Sequence, residues 1–189
     1  VADPLATAPP ASVAAATLDR YVGLYRLGPG WYVRIRRDGA ELTAQATREA
    51  ESPMAARSDT SFWVAAYNAP VVFAVRGKAV ELGYRGRRHP RLEESAPLAP
   101  ADLARFAGAY YSEELDASYR VEVKDGGLVL RHRRHGVIEL TRLWGDDFGG
   151  SIGLRSIEFR RGPAGEVSGF AVFIDERSRD VRFVKGGSR

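Results

Sequence analysis

Leu18-Asp19-Arg20-Tyr21-Val22-Gly23-Leu24-Tyr25 returns as Leu103-Ala104-Arg105-Phe106-Ala107-Gly108-Ala109-Tyr110, and each copy leads through a short polar stretch into an alternating segment that ends on Asp-Gly. In the first copy this segment is Trp31 to Arg37 with a turn at Asp38-Gly39; in the second it is Tyr119 to Lys124 with a turn at Asp125-Gly126. A fixed internal spacing is read before local propensity, because it sets the architecture as a whole. Each copy spans about 85 residues, enough to bury a modest core without disulfides or metal. Two duplicated domains are expected, and duplication of a whole small domain points to a scaffold before it points to one active site.

Outward from the repeat, the period is two. Trp31, Val33 and Ile35 share one face and Tyr32, Arg34 and Arg36 the other, which marks a sheet with one buried side. Leu42, Ala44 and Ala46 continue beyond Asp38-Gly39, a hairpin signal of the primed type. Alternation recurs at Phe62 to Ala66, Val71 to Val75 and Val80 to Tyr84, and in the second copy at Leu128-Leu130, Ile138-Leu140, Ile157-Phe159, Phe170-Val172 and Val181-Phe183. Gly145-Asp146 and Pro163-Ala164-Gly165 read as turns. Many short strands predict an all-β sandwich or barrel, and a closed antiparallel barrel is favoured because an open sheet of this size leaves apolar edges unprotected. A short helical turn opens each copy. Thr17 is placed to cap the first, through Leu18 and Tyr21 to a stop at Gly23; Pro100 and Asp102 start the second, through Leu103 and Phe106 to Gly108. The reading is an all-β chain of two tandem antiparallel β-barrels. Residues 1–16 form an Ala/Pro-rich linker or tail without the periodicity of a packed element, 17–94 the first barrel, 95–100 a linker and 101–187 the second barrel.

The 44% apolar and 10% aromatic content is that of an ordinary globular protein. The net charge is +4, and the basic residues are Arg except for Lys78, Lys124 and Lys185, a bias that points to a high-GC bacterial genome. Basic clusters stand at Arg85-Gly86-Arg87-Arg88-His89 and Arg131-His132-Arg133-Arg134-His135, but 24 acidic residues are interspersed, so no nucleic-acid partner is expected. The chain has no cysteine, which removes disulfides, thiolate catalysis and thiolate zinc sites. No apolar stretch approaches the roughly 20 residues of a membrane span. The start at Val1-Ala2-Asp3-Pro4 carries neither an initiator Met nor an intact signal peptide and reads as a processed product or a fragment, with a periplasmic or secreted location expected.

Candidate chemistry is sparse. His132 and His135, with His89 as a third, are the sharpest metal-like set, yet residues three apart on a strand face opposite ways unless the strand bends or ends between them. No metal site is expected. Glu113-Glu114-Leu115-Asp116 falls in a loop, where solvated charge is ordinary. Asp146-Asp147-Phe148-Gly149 has the letters of the kinase magnesium motif without its companions, and Gly28-Pro29-Gly30 starts like a phosphate loop and then fails, so a turn is the better account. There is no Gly-x-Ser-x-Gly elbow and no Ser-x-x-Lys pair; no catalytic residue and no cofactor are assigned. Among the aromatics, core is the default, with Trp144 the expected exposed exception.

The stretch Leu103 to Ala117, with Tyr119 to Gly127 after it, resembles the small barrel found behind the catalytic domain of β-lactamase-related serine hydrolases, and Tyr21 to Leu42 and on toward His89 resembles the preceding barrel of that architecture. The resemblance implies lipocalin-like, non-catalytic barrels that shape access to an active site, mediate assembly or bind ligands. The catalytic domain with its Ser-x-x-Lys motif is missing, so no hydrolase activity carries over.

Two readings follow. One is an accessory module partnered with a serine hydrolase domain; the other is a free-standing lipocalin-like protein for a small apolar or amphipathic ligand, with self-association open in either. Trp31, Tyr111, Glu113, Glu114, Asp116, Arg131, His132 and Trp144 are the candidate ligand- or partner-binding residues. Inward-pointing side chains discriminate: large apolar residues filling the interior mean scaffold, small ones around a polar group mean pocket. A third reading, binding of anionic surfaces through Arg85 to Arg91 and Arg131 to His135, predicts salt-sensitive affinity.

Overall fold

A computed structural model describes residues 4–151, 154–174 and 180–186. The chain divides into two compact units, residues 1–94 and 95–189, and among the described residues each unit is a closed antiparallel barrel in which every strand pairs with its sequence neighbour. The first unit runs α1 (Pro4–Thr7), α2 (Ala15–Tyr21), β1 (Gly23–Gly28), β2 (Trp31–Asp38), β3 (Glu41–Ala46), β4 (Ser52–Ala56), β5 (Ser61–Val64), a 3-10 turn (Ala65–Tyr67), β6 (Ala69–Arg76), β7 (Ala79–Tyr84) and β8 (Arg87–Leu92). It closes where β1 meets β8 through Leu24 opposite Leu92 and Tyr25 opposite Arg91. The second runs α3 (Pro100–Ala104), β9 (Gly108–Ser112), β10 (Ala117–Lys124), β11 (Gly127–His132), β12 (Gly136–Trp144), β13 (Asp147–Gly150), β14 (Ser156–Arg161), β15 (Val167–Phe173) and β16 (Val181–Lys185). Lys185 opposite Tyr110 and Val184 opposite Tyr111 close it.

The repeated motif is the device that closes one end of each barrel. Leu18 and Leu103 are buried, and beside them Tyr21 and Phe106 enter the barrel end. Tyr21 stacks on Phe73 with centroids 4.2 Å apart; Phe106 lies 4.7 Å from Phe159 and 5.5 Å from Phe148. The next repeated position, Gly23 or Gly108, turns from helix to strand at φ 152° or 149°. Two residues later Tyr25 and Tyr110 point back inward, their hydroxyls donating to the carbonyls of Tyr21 (2.7 Å) and Phe106 (2.5 Å). These bonds occupy carbonyls that a short helix leaves without partners.

The helix starts differ from expectation in one copy. Thr17 is inside α2, which begins at Ala15 with Ala14 at its N-cap and no side-chain cap; the run Ala14-Ala15-Ala16 has the highest helix propensity and carries the helix back past Thr17. In α3, Pro100 is the first helical residue and Asp102 Oδ2 accepts the Ala99 N–H at 3.2 Å. The first hairpin is also shifted by one. Asp38 pairs with Glu41, so the central residues are Gly39-Ala40, and positive φ falls on Gly39 (58°). In the second hairpin Asp125 (50°) and Gly126 (77°) both take positive φ, the type I′ pattern.

The segment read as an Ala/Pro-rich linker or tail lies against the first barrel over its described part, residues 1–3 lying outside it. Pro4–Thr7 is helical, Arg57 donates to the carbonyls of Leu5 (2.8 Å) and Ala6 (3.3 Å), the Ala11 N–H bonds Ala56 (2.9 Å), and Val13 packs on the first core. Small apolar side chains let this backbone lie close to the barrel, and an arginine takes up its carbonyls. Among the described residues no helix is long and apolar enough to cross a membrane.

Candidate functional site

The far end of the first barrel, opposite α2, is built from four connections: Pro29-Gly30, residues 47–51, the 3-10 turn with Asn68, and Arg85-Gly86. Gly30 (62°), Arg48 (66°), Asn68 (46°) and Arg85 (46°) turn the backbone there at positive φ. Glycine and asparagine adopt this region at low cost, whereas it is uncommon for arginine. The Arg48 turn is held from both sides. The Tyr32 N–H donates to Thr47 Oγ1 and the Thr47 N–H to Tyr32 O, both at 2.9 Å, while the Glu49 N–H donates to Ala46 O at 3.0 Å. Glu49 is thereby folded back over the barrel mouth. Asn68 ends the turn that carries Tyr67, its N–H donating to Ala65 O at 3.1 Å.

Between these connections lies a small cavity that opens to solvent. Its floor is Val33, Ala44, Ala46 and Leu82, with Leu27 and Val71 beside them; Trp31, Tyr67 and Tyr84 stand around it, and Glu49 is the charged residue in its lining. Trp31 and Tyr84 meet edge to face, centroids 5.8 Å apart at 88°. The Tyr67 hydroxyl accepts the Ala46 N–H at 3.1 Å. Burial pushes the Tyr67 phenol up; the Ala46 N–H pulls it down, and the charge of Glu49 together with a hydrogen bond to that carboxylate pushes it up again. The phenol is therefore neutral at physiological pH. From the rim, the Arg85 guanidinium lies 5.3 Å from the Tyr84 centroid.

The repeat explains why this cavity exists. In β2 and β3, Val33 pairs with Ala46 and Ile35 with Ala44; in β10 and β11, Val121 pairs with Leu130, and Tyr119 lies against His132, ring centroids 4.5 Å apart. Leu130 and His132 thus stand in the places of Ala44 and Ala46, and Tyr119 in that of Val33. Leu82, between Phe73 and His89, corresponds to Phe170, between Phe159 and Phe183. Each floor position is larger in the second barrel. There Tyr119 contacts Phe183 (5.1 Å) and Phe170 (6.4 Å), and Phe170 stacks on Phe183 (4.9 Å). At the rim the order reverses: Trp31 stands in the place of Ala117 and Tyr84 in that of Val172. The first barrel holds its bulk around the mouth, the second in its centre.

Of the candidate residues, only Trp31 is at this cavity. Tyr111, Glu113, Glu114, Asp116, Arg131 and His132 gather at the far end of the second barrel, on or beside the β9–β10 and β11–β12 connections. Tyr111 donates to Asp116 Oδ1 (2.8 Å), Arg131 pairs with Glu122 (2.6 Å), and Glu113 and Glu114 are exposed. Trp144 is at the opposite end and half-buried, not exposed, in a connection tied down by Ser95 Oγ, which accepts from Arg142 Nη2 (2.6 Å) and the Gly145 N–H (3.2 Å). β11 ends at His132, so His135 swings back and the two rings stack at 4.7 Å and 21°. Stacked rings do not converge on one ion, and His132 Nδ1 accepts the Arg134 N–H at 3.2 Å. Burial, then the neighbouring His135 and Arg134, hold the His132 pKa below its usual value. His89 is in the first unit, its Nδ1 2.9 Å from Arg26 O. Among the described residues no three His, Cys, Asp or Glu side chains are grouped to hold a metal.

Glu49, Tyr67 and the small floor residues were not among the sequence candidates. Their signal was the contrast between Leu42-Thr43-Ala44-Gln45-Ala46 and Leu128-Val129-Leu130-Arg131-His132, the same strand with and without bulk. No protein-family model matches the chain, and no curated protein matches it in sequence.

Proposed function

We propose that this chain is a binding module in which the first barrel takes one small apolar or amphipathic group through its far end, while the second barrel is a filled scaffold. The observation that carries this reading is the exchange of Leu130, His132, Tyr119 and Phe170 for Ala44, Ala46, Val33 and Leu82 at matching register positions, which leaves an apolar cavity ringed by aromatic side chains and one carboxylate. Most binding pockets have this composition, an apolar lining with few polar groups. The test is a titration of the labelled full chain with medium-chain alcohols, followed by amide and indole N–H shifts. Shifts confined to Trp31, Ala44, Ala46 and Leu82 are expected. Shifts centred on the second barrel, or none, overturn the reading.

A second reading concerns the second barrel. Among its described residues the interior carries large side chains such as Tyr119, Leu130 and Phe170, and Tyr111, Glu113, Glu114, Asp116, Arg131 and His132 share one end, which favours contact with a protein surface over uptake of a ligand. The resemblance of both openings to barrels that accompany β-lactamase-related catalytic domains makes such a serine hydrolase domain the proposed partner. Charge reversal at Glu113 and Glu114 is expected to weaken association with that domain in a sedimentation or titration assay. Unchanged association removes this reading.

A further inference from the structure

Resting on the pocket reading above, the geometry points to a ligand class: we propose that the mouth of the first barrel recognises a quaternary ammonium group. The lining offers three π-faces or edges, from Trp31, Tyr67 and Tyr84, and a single charge, the Glu49 carboxylate. An aromatic ring carries negative potential on its face, so a set of rings with a carboxylate attracts an organic cation. On the rim, Arg85, held at positive φ, sets its guanidinium 5.3 Å from the centroid of the Tyr84 ring.

The floor decides which kind of cation fits. Val33, Ala44, Ala46 and Leu82 present carbon, and the Tyr67 hydroxyl is already engaged as acceptor from the Ala46 N–H. A primary ammonium brings three N–H donors, each needing an acceptor, and a buried donor without one is costly. A quaternary ammonium has no donors. Its methyl groups can rest on the alanines and valine while its spread charge faces the rings and Glu49. An anion meets the Glu49 carboxylate directly, although Arg48 and Arg85 flank the mouth from outside.

Three probes with the same tail separate the possibilities: decyltrimethylammonium, decanol and decanoate, each titrated below its micelle concentration against the full chain, with the Trp31 indole N–H as readout. Decyltrimethylammonium is expected to bind about tenfold more tightly than either. Glu49→Gln is expected to remove most of that preference, and Arg85→Gln, which clears a competing cation from Tyr84, to tighten binding of the cation. Both positions are exposed, so both variants are expected to fold. If decanol binds as tightly, if decanoate binds best, or if the preference survives Glu49→Gln, the ammonium assignment falls and the pocket reading stands. If none of the three shifts the first-barrel resonances, both fall.

Discussion

The Tyr110 hydroxyl donates to the carbonyl of Phe106 at 2.5 Å, four residues back along the chain, and Tyr25 does the same to Tyr21 at 2.7 Å. Each bond joins the first strand of a barrel to the helix that closes its end, and both phenols are fully buried. Burial holds their pKa values far above the ordinary 10.0. A phenol with a raised folded-state pKa contributes fully below its unfolded value near 10 and loses that contribution as pH climbs toward the folded value. The chain is therefore expected to lose stability above about pH 10, with Tyr25 and Tyr110 ionising only as it unfolds. Tyr25→Phe and Tyr110→Phe should each cost about 1–2 kcal/mol at neutral pH, from a buried carbonyl left unpaired. Each should also flatten the alkaline slope, as read by denaturant melts between pH 8 and 11. An unchanged slope contradicts the assignment.

A second repeated relationship surrounds the glycines. A Cβ on Gly23 would lie 2.6 Å from Arg91 Cδ, and one on Gly108 would lie 2.9 Å from Lys185 Cε. These long side chains cross the glycines to reach helix carbonyls: Arg91 Nη1 donates to Arg20 O at 2.9 Å and Lys185 Nζ to Arg105 O at 2.5 Å. Cations suit the C-terminal end of a helix. Gly108→Ala is expected to cost about 1–3 kcal/mol from the positive φ and the displaced lysine together. In a cycle with Lys185→Ala the two losses should be less than additive, because the alanine has already pushed the lysine aside. Strict additivity in thermal melts would show that the lysine does not close over this glycine.

Much of this frame was legible before any coordinates. The motif spacing, the Asp-Gly hairpins and the alternation of Trp31, Val33 and Ile35 are local signals, and closed antiparallel barrels follow from them. Five strands escaped notice: β1 and β9, which start at the glycines that end the opening helical turns; β4 and β8, which contain Pro53 and Pro90, residues that cannot donate to a ladder; and β13, the Asp147-Phe148-Gly149-Gly150 run that invited a motif comparison. The cavity was hidden for another reason. Ala44 and Ala46 look like unremarkable inward residues until strand pairing sets them beside Val33 and below Trp31, Tyr67 and Tyr84, residues scattered over more than fifty positions. Glu49 reaches the mouth only because Arg48 takes positive φ, which no periodicity announces.

His132 supplies a prediction in the acid range. Its pKa is lowered from 6.5, first by burial and then by His135 and Arg134, so the folded chain favours the neutral ring. Stability from this group is fully present above the unfolded pKa near 6.5 and declines as pH falls toward the lower folded value. Imidazole resonances of His132 should titrate below those of a model histidine. The second barrel should melt at lower temperature at pH 5 than at pH 7.5, and His132→Phe, which keeps a ring against Tyr119, should reduce that difference. A His132 midpoint at or above 6.5 contradicts the account.

The two floors yield opposite responses to one kind of substitution, a stringent check on the cavity itself. Leu130→Ala removes bulk from a filled interior and is expected to cost about 2–5 kcal/mol, because the side chains around it cannot collapse to recover the contacts. Ala46→Leu adds bulk where space stands open above Val33, so the overpacking cost of about 1–3 kcal/mol that such a change brings in a full core should be largely absent. The added side chain occupies the volume that His132 fills in the other copy, so ligand response at Trp31 should disappear while the first barrel keeps or gains stability in denaturant melts. If Ala46→Leu instead destabilises as a core insertion does, the interior is already full at that position and the pocket loses its floor.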